Sequence, residues 1–421
     1  MKLSRYTFTC PAGQDVLLYN ALSGALAKVS RQAWAERESD PDFMQQLRQQ
    51  GFVVDDEADE LALYKLQYYG SLFGRSKEFS LIIAPTMQCN FSCSYCFEGA
   101  HKRAGLMTDE VENALIDVML AHRKKPIRIT WYGGEPLLGH SRMLSISRRL
   151  EAEGVAFESK MLTNGSLLTP EVVDSLAALR MTFIQLSMDG TAHDHDRRRH
   201  FRGGAPSFDR IIRNLSDVLA RTDVNVSVRV AVDKQNPHAY DELKTYLAEK
   251  FPEAMASGRL GVAHSHVLDR TGFDAAGAVC YTMQEIFAQG MARLQEGRAP
   301  EGFSVVPERA LPCMFRQPAV LNVDSEGYLY HCLELFGNPD YRIGNIKDKK
   351  VDYAMLAQGM FIKDPFDDAT CRHCKVLPLC GGGCPAVRMR QWGTEQQEQC
   401  CSLYKGRVEQ LMPYMYEQMK K

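Results

Sequence analysis

The stretch CNFSCSYCFE, residues 89 to 98, sets Cys89, Cys93 and Cys96 with three and then two residues between them. Three thiols this close cannot all pair with one another, and thiolates are soft ligands suited to zinc or to iron-sulfur clusters. A structural zinc site wants a fourth ligand nearby, and His101 is available for it. A 4Fe-4S cluster held by only three cysteines leaves one iron open to a small molecule, the opening that catalysis needs. Spacing alone keeps both readings open. A second group is larger: Cys371, Cys374, Cys380 and Cys384 follow a CxxCx5CxxxC pattern, Cys313 and Cys332 precede them, and Cys400 and Cys401 follow. A zinc ribbon accounts for four of these and leaves the others without a purpose. Cys10 and Cys280 stand apart and read as small core or surface residues.

The elements that must carry these groups follow from composition and pattern. With 421 residues, 45% hydrophobic and 24% charged, the chain has material for two or three globular domains. A net charge of -2 gives no electrostatic case for a nucleic-acid or membrane-surface partner. No run resembles a signal peptide or a membrane span, so thirteen cysteines in a cytoplasmic chain point to ligation rather than to a disulfide framework.

Six apolar runs between about 79 and 268 ("SLIIA", "IRITWYGG", "ESKMLTNGS", "TFIQLSMDG", "VNVSVRVAVD" and "LGVAHSHVL") alternate with helix signals at Thr108, at Thr169 with Pro170, and at Ser207. The Thr169 signal predicts a helix bearing Val172, Val173, Leu176 and Leu179. Right-handed crossovers curl six such units into a barrel or an open part of one, with chemistry at the carboxyl ends of the strands. Cys89 to Cys96 follow the first run, and His264 and His266 on the sixth lie near the same end by position. The expected architecture is therefore α/β, a partial (β/α)6 barrel over 76–270.

A small α+β unit is expected over 1–75, with strands around Tyr6 to Cys10 and Val16 to Tyr19, one polar helix from about 31 to 50 ended by Gly51, and a short strand at Phe52 to Val54. A linker with a helix at about 277–296 spans 271–310. Residues 311–421 read as loop-rich, organised by bound metal and ending in a helix disturbed at Pro413.

The CxxxCxxC spacing, with Tyr95 just before the last cysteine, resembles the radical S-adenosylmethionine (SAM) enzymes. "GGEP" at Gly133–Pro136, "TNG" at 163–165, "QLSMDG" at 185–190 and the HDxxR spacing of His195, Asp196 and Arg199 match the same family in order. The resemblance implies that Cys89, Cys93 and Cys96 hold a 4Fe-4S cluster whose open iron takes SAM. It implies that Gly133, Gly134, Pro136 and Asn164 belong to the cofactor site, the glycines letting the backbone come close to the ligand, and that Glu135 with the neighbouring carbonyls receives the methionine ammonium. Arg199 then offers a fork for its carboxylate, Ser187 and Asp189 bond that carboxylate or the ribose, and Tyr95 lies near the adenine. Such enzymes cleave SAM reductively to a 5'-deoxyadenosyl radical that takes hydrogen from a substrate carbon.

The second group resembles the SPASM domain, which carries auxiliary 4Fe-4S clusters, making three clusters in all. That resemblance implies an outer cluster on Cys371, Cys374, Cys380 and Cys401, with Cys401 preferred to Cys400, and an inner one on Cys313, Cys332 and Cys384. An inner cluster with three cysteines has an open iron for a substrate thiolate, hence thioether formation; a fourth protein ligand such as Cys280 or Cys400 would count against it. Sulfatase-maturing members carry an aspartate after the cysteine matching Cys332, where this chain has Leu333, with Glu334 next. "CLELFGNPDYRIGNI" and the amino-terminal unit instead resemble maturases of ribosomally made peptides that install thioether or carbon-carbon cross-links. In these the amino-terminal unit is a winged-helix-like leader-binding domain, and a flavodoxin or ferredoxin supplies electrons. Sulfatase-maturase-like protein oxidation, with Glu334 standing in for the aspartate, a radical SAM enzyme for a small molecule or cofactor precursor, and a non-catalytic cluster carrier are the alternatives.

Overall fold

The computed structural model describes residues 1–73, 78–96, 105–269, 279–317, 320–348, 350–362, 364–391 and 400–420. The chain begins with β1 (Lys2–Leu3), β2 (Thr7–Ala12), β3 (Asp15–Asn20) and β4 (Leu26–Ser30), followed by α1 (Arg31–Ala35), α2 (Pro41–Gln49), β5 (Val53–Val54) and α3 (Glu60–Phe73). β2, β3 and β4 form an antiparallel sheet, and β1 pairs with β5. The single helix expected over 31 to 50 is thus two. Pro41 disfavours helical backbone at the residue before it. Asp40 accordingly sits extended at φ -114° and ψ 98°, and its carboxylate accepts the Phe43 N–H to start a fresh helix. Gly51 takes φ +84° just beyond α2, the left-handed turn a glycine supplies.

All six expected strands form: β6 (Phe79–Ile83), β7 (Ile127–Trp131), β8 (Phe157–Thr163), β9 (Met181–Met188), β10 (Asn225–Val232) and β11 (Leu260–His266). They lie in consecutive order and pair in parallel. Between them run α4 (Asp109–Ala121), α5 (His140–Ala152), α6 (Pro170–Asp174), α7 (Ala192–Arg198), α8 (Phe208–Arg221), α9 (Ala239–Lys250) and α10 (Pro252–Ala256).

Consecutive order with right-handed crossovers sets the helices on one face and leaves a concave face free of them. The alternation of side chains shows which residues go where. Ile184, Leu186 and Met188 on β9 and Val226, Val228, Val230 and Val232 on β10 are buried in the same core as Ile211 and Leu215 of α8 and Leu243 and Leu247 of α9. The helix expected after Thr169 stops at Asp174. The chain continues in turns that still bury Leu176 and Leu179, and Arg180 takes a left-handed φ of 51° to enter β9. Apolar spacing had reported burial faithfully there, and burial does not require helix.

Next come α11 (Met283–Gln295), opened by a capping box between Thr282 and Glu285, and then β12 (Val320–Val323), β13 (Tyr328–Tyr330), β14 (Arg342–Asn345), β15 (Lys350–Val351) and α12 (Tyr353–Ala357). β12 pairs in parallel with β6, and the other three continue antiparallel, so the sheet has ten strands. Val323, Leu329, Ile343 and Ile346 are buried in the barrel core. A loop-rich reading of this stretch missed them because strands of two to four residues carry no readable alternation. The chain ends with α13 (Leu377–Cys380), α14 (Pro385–Gln391) and α15 (Val408–Met419), the last running through Pro413 with Met412 and Met415 buried.

The chain divides into two compact units that do not follow sequence order. One comprises Met1–Gly74, Thr282–Gln317 and Gln358–Lys421; the other comprises Arg75–Tyr281 and Pro318–Ala357. The boundaries expected at 75, 270 and 310 run along the chain, whereas the first unit gathers its core from both ends of it. Tyr6, Phe8 and Tyr19 pack there with Phe287, Val376, Leu379, Val408 and Leu411. Among the described residues no helix is long and apolar enough to cross a membrane.

Candidate functional site

The cysteine loop follows β6, and its first residues are tied to neighbouring segments. Residues 90 to 92 zip onto 200 to 202: the Ser92 N–H donates to His200 O at 3.0 Å and the Arg202 N–H to Asn90 O at 3.0 Å. Phe91 meets Phe201 edge-on at 5.0 Å. At Cys89 the Phe91 N–H donates to Sγ at 3.4 Å and Asn164 Nδ2 approaches it at 3.9 Å. Donors aimed at sulfur favour a thiolate, the form that binds iron. Asn164 also donates to Asn90 Oδ1 at 2.8 Å, so the TNG turn after β8 positions this loop.

The GGEP turn after β7 packs on the same segment. A Cβ at Gly133 would lie 2.3 Å from Thr86 O, and one at Gly134 2.2 Å from Gln88 O. The glycines were expected to admit a ligand; the body they admit here is the backbone leading to Cys89. Glu135, expected with the neighbouring carbonyls to receive an ammonium, has a buried carboxylate that already takes three protein donors. It accepts from Thr163 Oγ1 at 2.7 Å, the Asn164 N–H at 2.8 Å and the Leu137 N–H at 3.1 Å. Its side chain therefore locks β7 to β8, with Pro136 buried at the start of the next turn. Burial pushes its pKa up, against those three donors.

At the ends of β9 and β10 lies a polar knot. Asp189 accepts from Tyr95 Oη at 2.7 Å and from Arg198 Nε at 2.9 Å. Arg198 grips Asp233 with its other nitrogens at 3.1 and 2.6 Å and lies over the Tyr95 ring at 4.9 Å. Arg199 donates to Tyr95 Oη at 2.8 Å. Burial, opposed by Arg199, holds the Tyr95 phenol well above its ordinary pKa, so it stays protonated and able to donate. The Asp189 N–H donates to His195 Nδ1 at 3.3 Å, placing the imidazole proton on Nε2, which faces Ser207 Oγ at 3.0 Å. Ser207 Oγ in turn donates to Arg199 O at 2.6 Å. Desolvation, aided by Arg199, drives His195 down to about 3, so it stays neutral. Asp196 takes the Ser207 and Phe208 N–H groups at 2.7 and 2.9 Å.

This knot sorts the expected roles. Asp189 is occupied by protein donors, whereas among the described residues Arg199 Nε is buried with no hydrogen-bond partner, and Ser187 is half-buried on β9. An orphaned guanidinium nitrogen beside Tyr95 fits the carboxylate expected there. Arg198 and Asp233 escaped the sequence reading. The register of HDxxR singled out Arg199 from three arginines, and an acid closing the fifth apolar run was the available signal for Asp233.

His264 and His266 do not belong to the site. They pair in register with Val230 and Val232 and share their helix-facing side; His264 meets Tyr240 of α9 at 5.3 Å and His266 at 4.3 Å. A strand end places a residue near the chemistry only if its side of the pleat agrees. His101, the zinc alternative's fourth ligand, lies outside the described residues.

The other unit holds the second thiol group. Cys371, Cys380, Cys400 and Cys401 border a cavity of about 130 Å³ together with Asp368, Arg388 and Lys405. Arg388 Nη1 donates to Cys371 Sγ and Lys405 Nζ to Cys401 Sγ, each at 3.4 Å, and Asp368 holds Arg388 at 3.1 Å. Three left-handed glycines, Gly381, Gly382 and Gly383, fold the chain here; a Cβ at Gly383 would strike Cys400 O at 1.8 Å. Burial, opposed by Arg388, pushes Cys371 and Cys400 up to about 11, so binding a metal there would have to displace their protons. Among the described residues no three or more His, Cys, Asp or Glu converge on a single ion. Thiols bordering a cavity with cations on their sulfurs fit a larger, multi-iron body. Both Cys400 and Cys401 line it, and Cys374 packs half-buried between Tyr64, Phe366 and Val376. Cys313 and Cys384 lie in this unit and Cys332 in the other.

Comparison with known proteins agrees with this geometry. Residues 83–247 match the Radical SAM superfamily model. The serine-type anaerobic sulfatase-maturating enzyme of Klebsiella aerogenes is 24% identical over 71% of this chain and 77% of its own. The cysteine-type enzyme of Clostridium perfringens strain 13 is 22% identical over 79% and 96%. Mycofactocin maturase MftC of Mycobacterium tuberculosis is 30% identical over 42% and 43%. In fold, native anSMEcpe with bound AdoMet superposes with a TM-score of 0.61 at 20% identity, covering 81% of this chain and 98% of the other. Streptococcus suis SuiB bound to precursor peptide SuiA gives 0.53 at 14% identity, covering 93% and 97%.

Proposed function

Because the chain is a radical SAM enzyme, we propose that its substrate is a ribosomally made precursor peptide in which it joins a cysteine sulfur to a carbon, or two carbons, in a cross-link. Cys89, Cys93 and Cys96 would hold a 4Fe-4S cluster, which would supply the one-electron reduction of SAM that makes hydrogen abstraction from a substrate carbon possible. Glu135 and Asn164 hold the cluster loop, Tyr95 and Arg198 brace it against β9 and β10, and Arg199 Nε is the donor left for the methionine carboxylate. The auxiliary cysteines, Cys371, Cys374, Cys380, Cys401, Cys313, Cys332 and Cys384, belong to a SPASM-type pair of clusters, and a flavodoxin or ferredoxin is the electron source. In the net change a C–H and an S–H become a C–S bond. One hydrogen leaves as an atom, the other as a proton, and one electron is returned.

The observation that carries the cross-link over aldehyde formation is the residue after Cys332. Leu333 offers no base, and Leu333–Leu335 is a 3-10 turn, in which successive side chains point about 120° apart. Glu334 therefore does not project along the direction of position 333. The amino-terminal sheet supports a peptide partner: among the described residues β4 pairs only with β3, leaving one edge for an added strand. The resemblance to sulfatase-maturating enzymes over most of the chain favours a second reading, oxidation of a protein cysteine or serine to an aldehyde.

The test is co-expression with the short peptides encoded beside the gene, with a Cys89→Ala, Cys93→Ala, Cys96→Ala control. Loss of two hydrogens per link and cysteines resistant to alkylation, absent in the control, is the expected result. A hydrazide-reactive aldehyde on the peptide would overturn it in favour of the second reading.

A further inference from the structure

The concave face of the barrel can be read row by row from the strand register. Ser187 of β9 pairs with Arg229 of β10, which pairs with Ala263 of β11. Since Thr163 pairs with Leu186, Asn164 falls one step on, beside Ser187. The row holding Asn164 and Ser187 therefore runs on to Arg229. Every residue assigned to the cluster or to SAM sits in the β6 loop, at the ends of β7, β8 and β9, or on the segment after them. The concave faces of β10 and β11 carry none and are what remains for the substrate.

Arg229 is out of place there unless it has something to bind. It is exposed, its neighbours Ser227, Ala231, Gly261 and Ala263 are small, and among the described residues its one hydrogen bond is Nη2 to Ser265 Oγ at 2.7 Å. It has no ion-pair partner among the described residues. The other arginine of this face, Arg128, is neutralised at 2.8 and 3.0 Å by Glu78 and Glu158 near the opposite strand ends. One arginine is paired and the other is held by a neutral hydroxyl with Nε and Nη1 uncommitted. We infer that Arg229, steadied by Ser265, is a carboxylate-binding subsite on the substrate side of the barrel, taking an acidic group of the peptide close to the reacting residue.

A planar guanidinium with two free donors suits a carboxylate bidentately and rejects a carboxamide or a cation. The substrate carboxylate is an Asp or Glu side chain, or a free peptide C-terminus, and the two are separable by experiment. The inference rests on the peptide reading above.

Cluster-loaded enzyme with SAM, as wild type, R229Q and R229E, is panned anaerobically against random dodecapeptides in two formats, C-terminal acid and C-terminal amide. Wild type is expected to enrich Asp or Glu in the amide format if side chains are read, or to prefer the acid format if the terminus is read. R229Q should lose that enrichment at least tenfold, and R229E should select Lys or Arg at the same place. Identical selections by wild type and R229Q overturn the subsite. So does a tenfold loss of SAM affinity in R229Q, which would reassign the guanidinium to the cofactor. Glutarate binding by calorimetry separates the two hypotheses. Glutarate retained by wild type and lost in R229Q, with no peptide retained by either, keeps the subsite and removes the peptide; absence of both removes the subsite as well.

Discussion

Replacing Arg198 with methionine tests the knot that braces the site. Its guanidinium is 3% exposed and joins two fully buried carboxylates, Asp189 at the end of β9 and Asp233 just after β10. Methionine keeps the aliphatic length and removes the charge, leaving Asp233 without its cation and Asp189 with only Arg199, at 3.9 Å. Breaking a buried pair in this way costs about 3–5 kcal/mol, because the remaining charge is desolvated and uncompensated. For a unit of this size each kcal/mol lowers Tm by about 2–4 °C, so the expected fall is roughly 6–20 °C. The assay is calorimetry of the cluster-loaded enzyme under anaerobic conditions, with Asp233→Asn and the double variant completing a cycle. The double variant should recover part of the loss, since one orphaned charge has gone. Because Tyr95 and Asp189 share the knot, R198M should also weaken SAM binding, whereas R199M should weaken SAM binding with a smaller loss of Tm. A fall below about 3 °C for R198M, or strict additivity in the cycle, would refute the reasoning.

Three further outcomes follow from the same geometry. Gly134→Ala should abolish SAM cleavage, at least a hundredfold, because its Cβ would strike the Gln88 carbonyl at 2.2 Å; near-normal turnover would show that the turn can move away. Neutral buried His195, at about 3, and His266, at about 4, bind protons more weakly folded than unfolded. The stability they allow is complete above about pH 6.5 and is lost as pH falls toward about 4 to 3, by up to about 1.4 kcal/mol per unit for each. His195→Asn should flatten the fall in Tm between pH 6.5 and 5, and an unchanged slope would contradict the burial argument. Arg388→Met, removing a cation 3.4 Å from Cys371 Sγ, should lower the potential of the auxiliary cluster proposed at this cavity by about 59 mV or more, a tenfold change for one electron. Potentiometric EPR reads this with the SAM-binding cluster as internal reference, and equal shifts in both clusters would argue against a local effect.

By itself the sequence determined where thiols and tight turns cluster along the chain. Cysteine spacing is local, and so are the turns of Gly133, Gly134, Asn164 and Gly190; six apolar runs with capped helices between them specify a parallel sheet with its strand ends in one place. What it could not decide was pairing across the chain. Asp233 is 35 residues from Arg198, and no local rule says which of three successive arginines turns inward to meet it. The helix after Thr169 and the single helix over 31 to 50 failed because spacing reports burial, while helicity also depends on a proline or on the closing of a turn. The fate of His264 and His266 was settled by which side of the pleat meets α9, a matter of register that only β10 beside β11 fixes. Residues 320–351 became part of the barrel sheet because β6 had an unpaired edge to offer, and the ends of the chain joined one core because neither end has enough apolar surface to bury alone. Short strands and shared cores acquire their meaning from partners far away in sequence, which is why tertiary structure alone assigns them.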